Sequence, residues 1–432
     1  MDTVCKYKSF KSKKVAAKIS IVLALSLSCA QASGYKIPEQ SLSALALGAA
    51  NVAAVDGADA SYYNPANMVF LSNPKSQLEF LLTYVNLPHM TYTDNSNISR
   101  NGNSKVEKIV APLFHFVIPE YYENWRLGFS VVVPGGLAKR WDSPYQAESA
   151  KKFSLKIIEA NPTASYKVSD NVAVGFGVRA VYTVGEVVGY RNDAGTGNHD
   201  VSMDMEGDSF DFGYNLALSI RPTEELKFAA TYRSKINLTI DGNAKLKYPP
   251  TAFSSNLPYS YNGDASVNAP LPAVLDLAIA YTFFKKTTVE FVYERVYWSA
   301  FNQIDFNFPT ENGDTILGNV FGKAKSKNWK DSSTFRLGVT HLATENLKLM
   351  AGFTIDKTPA PDEKLAFELP DSNSKNYSAG FEYKLNQDMS IGMAYLFSDK
   401  EARSISDNEY GLDGKFTDGG AHLVNISFKY VF

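Results

Sequence analysis

Residues 210–221 read FDFGYNLALSIR, and every second position is apolar. Phe210, Phe212, Tyr214, Leu216, Leu218 and Ile220 share one face, opposite Asp211, Gly213, Asn215, Ala217, Ser219 and Arg221. A period of two is the signature of a β-strand with two unlike faces. The next segment repeats it: Leu226, Phe228, Ala230, Tyr232, Ile236, Leu238 and Ile240 oppose Lys227, Thr231, Arg233, Lys235, Asn237, Thr239 and Asp241, with Ser234 out of phase. Strands apolar toward lipid and polar toward a lumen are what a closed membrane barrel requires. A soluble β-sandwich has the same period, so spacing between strands has to separate the two.

Fourteen strands are predicted, near 77–87, 110–118, 124–134, 153–167, 171–190, 208–221, 225–241, 272–284, 287–306, 329–342, 346–357, 375–386, 388–398 and 420–432. Connections after odd-numbered strands are long (88–109, 135–152, 242–271, 307–328). Those after even-numbered strands are tight, such as Ser169-Asp170-Asn171, Pro222-Thr223-Glu224 and Thr344-Glu345. Short turns on one side and long loops on the other follow from one-sided insertion into an outer membrane. The last strand places His422, Val424, Ile426, Phe428, Tyr430 and Phe432 on one face and ends on an aromatic residue, an end suited to barrel assembly machinery as a partner through Phe432. The reading is all-β: a 14-stranded antiparallel transmembrane β-barrel over 76–432.

Composition agrees. The 432 residues include 27 Phe and 25 Tyr, yet no segment after the N-terminus approaches the ~20 apolar residues of a spanning helix. Residues 1–32 have the form of an export signal: a basic region (Lys6 to Lys18), the apolar run Ile19 to Leu27, and the small-residue pattern Ala30-Gln31-Ala32. Cleavage there removes Cys5 and Cys29, and with them any disulfide or thiolate metal site. It also removes six Lys and one Asp, which takes the formal charge from −2 to −7 and argues against nucleic acid as a partner.

Residues 34–71, GYKIPEQSLSALALGAANVAAVDGADASYYNPANMVFL, have a composition found nowhere else in the chain. Gly and Ala dominate, charge is confined to Lys36, Glu39, Asp56 and Asp59, and neither alternation nor β-branched content supports a strand. With Leu42, Leu45, Leu47, Val52 and Val55 it is expected to form a plug, or hatch, inside the lumen over residues 33–75, closed by the Asn64-Pro65-Ala66 turn. A periplasmic tail is the other reading.

Taken in order, several segments carry a family resemblance: the N-terminal stretch ending in Asn64-Pro65-Ala66, Ala111 to Pro119 (APLFHFVIP), Thr231-Tyr232-Arg233-Ser234, Trp329-Lys330-Asp331, and Asp356-Lys357-Thr358-Pro359-Ala360-Pro361. Over nearly all of the chain after the export signal, the sequence resembles FadL-type outer-membrane transporters of long-chain fatty acids and other hydrophobic compounds. The resemblance implies a monomeric barrel set in outer-membrane lipid and lipopolysaccharide. It further implies that hydrophobic substrate is captured outside, bound within, and released sideways through the wall. Lys330 matches the family's head-group lysine region, and Arg191 its binding arginine with a displacement of two residues. No cofactor is implied. An aromatic-hydrocarbon channel of the same fold, a general porin and an adhesin barrel are the alternatives.

A fatty-acid carboxylate calls for a cation. Lys330 and Arg336 share one phase with Ser332 and Thr334 and are expected to point inward. Arg191 follows Arg179, Thr183 and Gly189 in lumen phase. Each has a plainer reading as a lumen charge paired with Asp or Glu. Pro134-Gly135-Gly136 interrupts the third strand and marks either a lateral opening or the strand's end. Trp141 beyond it belongs to a capture groove or to an interfacial aromatic belt. Enzymatic readings have little to stand on. His89, His115, His199, His341 and His422 show no metal spacing, and no Ser sits in a GxSxG turn, so neither catalytic nor metal residues are assigned.

Overall fold

The structure is a computed structural model that describes residues 34–120, 124–193, 199–248, 259–309, 321–322 and 324–432. The proposed export signal lies outside these residues. Fourteen strands form the wall: β1 Gln77–Leu87, β2 Glu107–Val117, β3 Trp125–Lys139, β4 Lys152–Ser169, β5 Val172–Asp193, β6 His199–Ile220, β7 Leu226–Arg233 continued by Ile236–Tyr248, β8 Tyr259–Leu271 continued by Val274–Phe283, β9 Thr287–Val296, β10 Ser332–Leu342, β11 Leu347–Asp356, β12 Ser374–Lys384, β13 Met389–Lys400 and β14 Gly420–Val431. Neighbours are antiparallel throughout, and β14 returns to β1 with Leu82 opposite Ile426. Closure pairs the first strand with the last, so neither is left as a free edge.

The alternation of residues 210–221 is realised as read. On β6 the outward positions Phe210 to Ile220 are exposed, while Ser209, Asn215 and Ser219 are buried inside. Followed upward, the outward face changes from Phe210 to Asp208, Glu206 and Asp204, and the inward face from polar to Met205. The wall thus carries two patterns: apolar outside below this level, apolar inside above it.

That inversion corrects the reading of β7. Ile236, Leu238 and Ile240 are buried on the inside, and Asn237, Thr239 and Asp241 are exposed. The phase flips at Ser234, whose N–H donates to Tyr214 O (2.9 Å) and whose hydroxyl accepts from Tyr214 N–H (2.9 Å). Arg179 holds the Ser234 carbonyl from within at 2.6 Å. Asp241 sits opposite Asp208, at the level where the outward face of β6 turns acidic. Residues expected in the loop 242–271 therefore belong largely to tall strands standing above the apolar band. At β9 the correction is opposite: the strand ends at Val296 and a 3₁₀ turn, Trp298–Ala300, follows.

Residues 34–71 lie inside the ring. Their short helices α1 (Leu42–Ala46, capped by Ser41 on Ala44 N–H) and α2 (Ala60–Tyr63) and the 3₁₀ turn Pro65–Phe70 leave many backbone groups unmatched. Inward side chains from around the wall supply partners. Glu290 on β9 accepts from the amides of Val52, Ala53 and Ala54 at 2.7, 2.6 and 3.1 Å. Glu79 on β1 accepts from Leu42 N–H, Ser165 on β4 donates to Ala66 O, and Ser378 on β12 donates to Ala46 O. Contact is close enough at β11 that a Cβ on Gly352 would lie 2.1 Å from the Leu47 carbonyl carbon.

Candidate functional site

Above the N-terminal segment the inverted patterning surrounds an apolar cavity, with about 800 Å³ free of protein atoms when its open mouth is included. Its walls are Leu137 on β3, Phe153 and Leu155 on β4, Val187 on β5, Met205 on β6 and Ile240 on β7, with Phe301, Ile304 and Leu369 from the outer loops. These are the inward apolar positions that stand above the lipid-facing band. One end is ionic: Lys327 donates to Glu368 at 2.6 Å, with both side chains buried. Burial alone would raise the Glu368 carboxyl, but the adjacent Lys327 ammonium outweighs it and lowers the pKa to about 2. The second oxygen of Glu368 has no partner among the described residues.

Tyr35 forms the floor. Its ring packs against Trp298 at 4.8 Å, Phe301 at 6.0 Å and Trp329 at 6.2 Å, and its hydroxyl donates to Pro270 O. Gly34 before it has φ +54°, and a Cβ there would meet Trp298 at 2.6 Å, so only glycine lets the chain enter this nest.

From Tyr35 the chain runs into a break in the wall. β2 and β3 pair only through Phe114–Val117 with Gly128–Val131. Beyond Val131 the strand β3 shifts register against β4 between Val132 and Gly135, then continues to Lys139 rather than ending at Pro134. The edge of β3 that β2 vacates is used by the N-terminal segment: Ile37 N–H donates to Pro134 O (2.9 Å), Gly136 N–H to Tyr35 O (2.9 Å) and Val133 N–H to Gln40 Oε1 (2.7 Å). On β2, Ile109 and Val110 are 40% and 64% exposed although consecutive residues point to opposite faces. The break is closed at its outer end, where Lys105 N–H donates to Arg140 O (2.8 Å) and the Arg140 guanidinium grips Glu107 through two bonds at 2.8 and 2.7 Å.

The residues singled out in the sequence are dispersed relative to this geometry. Arg336 does point inward, but it is committed: Nη2 to Glu294 at 2.9 Å and Nη1 to Gly48 O at 3.0 Å. Lys330 is exposed and precedes β10, its N–H bonded to Pro359 O; the strand starts only at Ser332, after Asn328 at φ +44°. Parity counted back along the strand therefore does not reach it. Arg191 lies in β5 opposite Val201, and its side chain is outside the described residues. Trp141 is fully buried, its indole N–H donating to Phe367 O at 3.0 Å, so it packs the outer loops and lines no open groove.

Asn64 ties the N-terminal segment to itself and to β6 through Val52 O and Ser219 (2.8 and 2.9 Å), with Pro65 and Ala66 opening the following turn. Pro134, Gly135 and Gly136 form the break itself. Lys327, Glu368 and Tyr35 carry the cavity, and sequence reasoning did not select them, because they come from irregular segments with no period to read.

A family model described as outer membrane protein transport protein (OMPP1/FadL/TodX) matches residues 23–432. The chain belongs to the OMPP1/FadL/TodX family. As a FadL-family protein it is an outer-membrane channel for hydrophobic compounds and not an enzyme. Among its relatives, the long-chain fatty acid transport protein of Escherichia coli O6:H1 is 22% identical, the alignment covering 97% of this chain and 99% of the relative. Outer membrane protein P1 of Haemophilus influenzae strain Rd is 23% identical over 96% and 98%. Two solved structures share the fold: a Pseudomonas aeruginosa FadL homologue (TM-score 0.79, 19% identity, 93% of this chain and 100% of that one) and the Pseudomonas putida toluene transporter TodX (0.72, 17%, 93% and 100%).

Proposed function

We propose that this FadL-family channel takes up long-chain fatty acids and similar elongated hydrophobic molecules, holds them in the apolar cavity above Tyr35, and releases them sideways between β2 and β3. The observation that carries the reading is the meeting of cavity and break at one backbone contact, Gly136 N–H on Tyr35 O. Burying a methylene is worth roughly 0.8 kcal/mol, so a ~16-carbon tail brings roughly 10 kcal/mol of gross driving force and needs a second state to leave. Residues 34–40 supply it: a shift of this strip frees the edge of β3, while Glu290 and Arg336 retain the rest of the hatch. The ring closes from β14 to β1, and the N-terminal segment covers the edge of β3 that β2 vacates, which supports a monomer.

A second reading, uptake of uncharged monoaromatic compounds, is favoured by one feature. The buried cation at the cavity end, Lys327, is already neutralised by Glu368. Uptake of a fluorescent fatty acid by cells expressing the chain as their sole transporter of this type tests both. Fatty-acid uptake that is lost when Pro134-Gly135-Gly136 is replaced by three valines supports the first reading. Toluene uptake with no fatty-acid uptake supports the second, and retention of fatty-acid uptake in the triple variant removes the lateral route.

A further inference from the structure

Five lysines and arginines are buried among the described residues: Arg126, Lys139, Arg179, Lys327 and Arg336. Four are matched. Arg126 donates to the carbonyls of Met68, Asn73, Lys75 and Ile118; Arg179 reaches Glu159 and Ser234 O; Lys327 and Arg336 hold Glu368 and Glu294. Lys139 has no hydrogen-bond or ion-pair partner among the described residues. The charges it feels are those of Lys400 and Glu107. Both are already engaged, Lys400 by Asp371 at 2.5 Å and Glu107 by the two-pronged grip of Arg140.

Its position gives this isolation a meaning. Lys139 ends β3 opposite Phe153 and shares the inner face with Gly135 and Leu137. Leu137 and Phe153 line the apolar cavity, and Arg140, the next residue, closes the outer end of the break. A largely buried ammonium without a counterion is disfavoured, and the described residues supply none. We infer that Lys139 receives the carboxylate of a long-chain amphiphile as its tail passes from the cavity into the break between β2 and β3. At about 3.3 Å per residue, Lys139 stands about 13 Å from Gly135 along the strand, so an anion held here lays its tail along the edge of β3 that residues 35–40 cover and that a shift of this strip uncovers. The charge-assisted bond forms only with an acid, which makes Lys139 a specificity-determining residue. Tail burial is shared by acid and alcohol alike.

The assignment rests on the proposed uptake of fatty acids, and the test separates the two. Full-length protein in detergent, depleted of lipopolysaccharide, is titrated with palmitate and with hexadecanol, comparing wild type, Lys139→Met and Lys139→Arg. Lys139→Met is expected to weaken palmitate about tenfold and hexadecanol less than about twofold, with Lys139→Arg restoring palmitate. Unchanged hexadecanol affinity reports an intact fold. Equal palmitate affinity in wild type and Lys139→Met, or equal loss of both ligands, overturns the assignment while leaving the uptake reading in place. Wild type that binds neither ligand overturns both. Added lipopolysaccharide that displaces palmitate from wild type but binds Lys139→Met weakly also overturns it, by making Lys139 a lipid-phosphate anchor.

Discussion

At the scale of single residues, the inward charges mostly join the N-terminal segment to the wall. Arg336 bridges Glu294 on the neighbouring strand and Gly48 O of the N-terminal segment, and Glu294 is shared with Lys36. Removing one partner of a buried ion pair costs about 3–5 kcal/mol, and Lys36 remains to soften the loss. Arg336→Met is therefore expected to lower the thermal midpoint in detergent. A cysteine introduced at Ser43 is expected to react faster with maleimide in that background, and unaltered labelling would mean that Arg336 does not secure the N-terminal segment. Glu368 has a pH signature. Burial raises its carboxyl, Lys327 lowers it further, and the folded value of about 2 lies below the ordinary carboxylate value near 4.3. A depressed group stabilises the fold above its unfolded value and loses that contribution as pH falls through the folded one, so the outer loops should loosen between about pH 4.5 and 2. Proteolysis of those loops across that window should be acid-dependent in wild type and less so in Glu368→Gln.

At the scale of elements, what was legible depended on regularity. Outward faces such as Phe210 to Ile220 were read because one environment acts on every second residue. The β7 face differs from the reading past Ser234 because a strand that leaves the bilayer meets water outside and an apolar cavity inside, and its period stays two while its polarity reverses. Ile240 and Thr239 test this directly. A charge at Ile240 would be buried in the cavity wall, whereas one at Thr239 meets solvent. Ile240→Asp should lower stability by several kcal/mol and abolish hydrophobe binding, with Thr239→Asp within about 0.5 kcal/mol of wild type by denaturant titration. The reverse ranking would restore the lipid-facing assignment. Pro134-Gly135-Gly136 was legible as a fault in β3 from its missing donor and its two glycines. Which backbone would fill the vacated edge was not, because Tyr35 and Ile37 are about a hundred residues distant and carry no pairing signal.

At the scale of the molecule, the level at which polarity inverts fixes where the barrel sits in its membrane. Phe210 to Ile220 cover ten residue steps on the outside of β6, about 33 Å at ~3.3 Å per residue. A strand tilted by about 40° projects that onto roughly 25 Å, the height of an outer-membrane barrel's apolar band. Asp208 and Glu206 then lie in the head-group layer, and the tall ends of β5 to β8 enclose the apolar cavity outside the bilayer. On the proposed uptake route a substrate held there descends past Tyr35 to the break between β2 and β3, so cavity, N-terminal segment and break form one route only with the membrane at this height. Leu216 is near the middle of the band and Glu206 above it. Arginine costs about 2–4 kcal/mol at mid-bilayer and about 0–1 near the interface, so Leu216→Arg should lose about 2–4 kcal/mol in equilibrium unfolding from lipid vesicles and Glu206→Arg less than about 1. Equal losses at the two sites would move the bilayer up the wall, submerge the cavity, and remove the descent that the proposed lateral release requires.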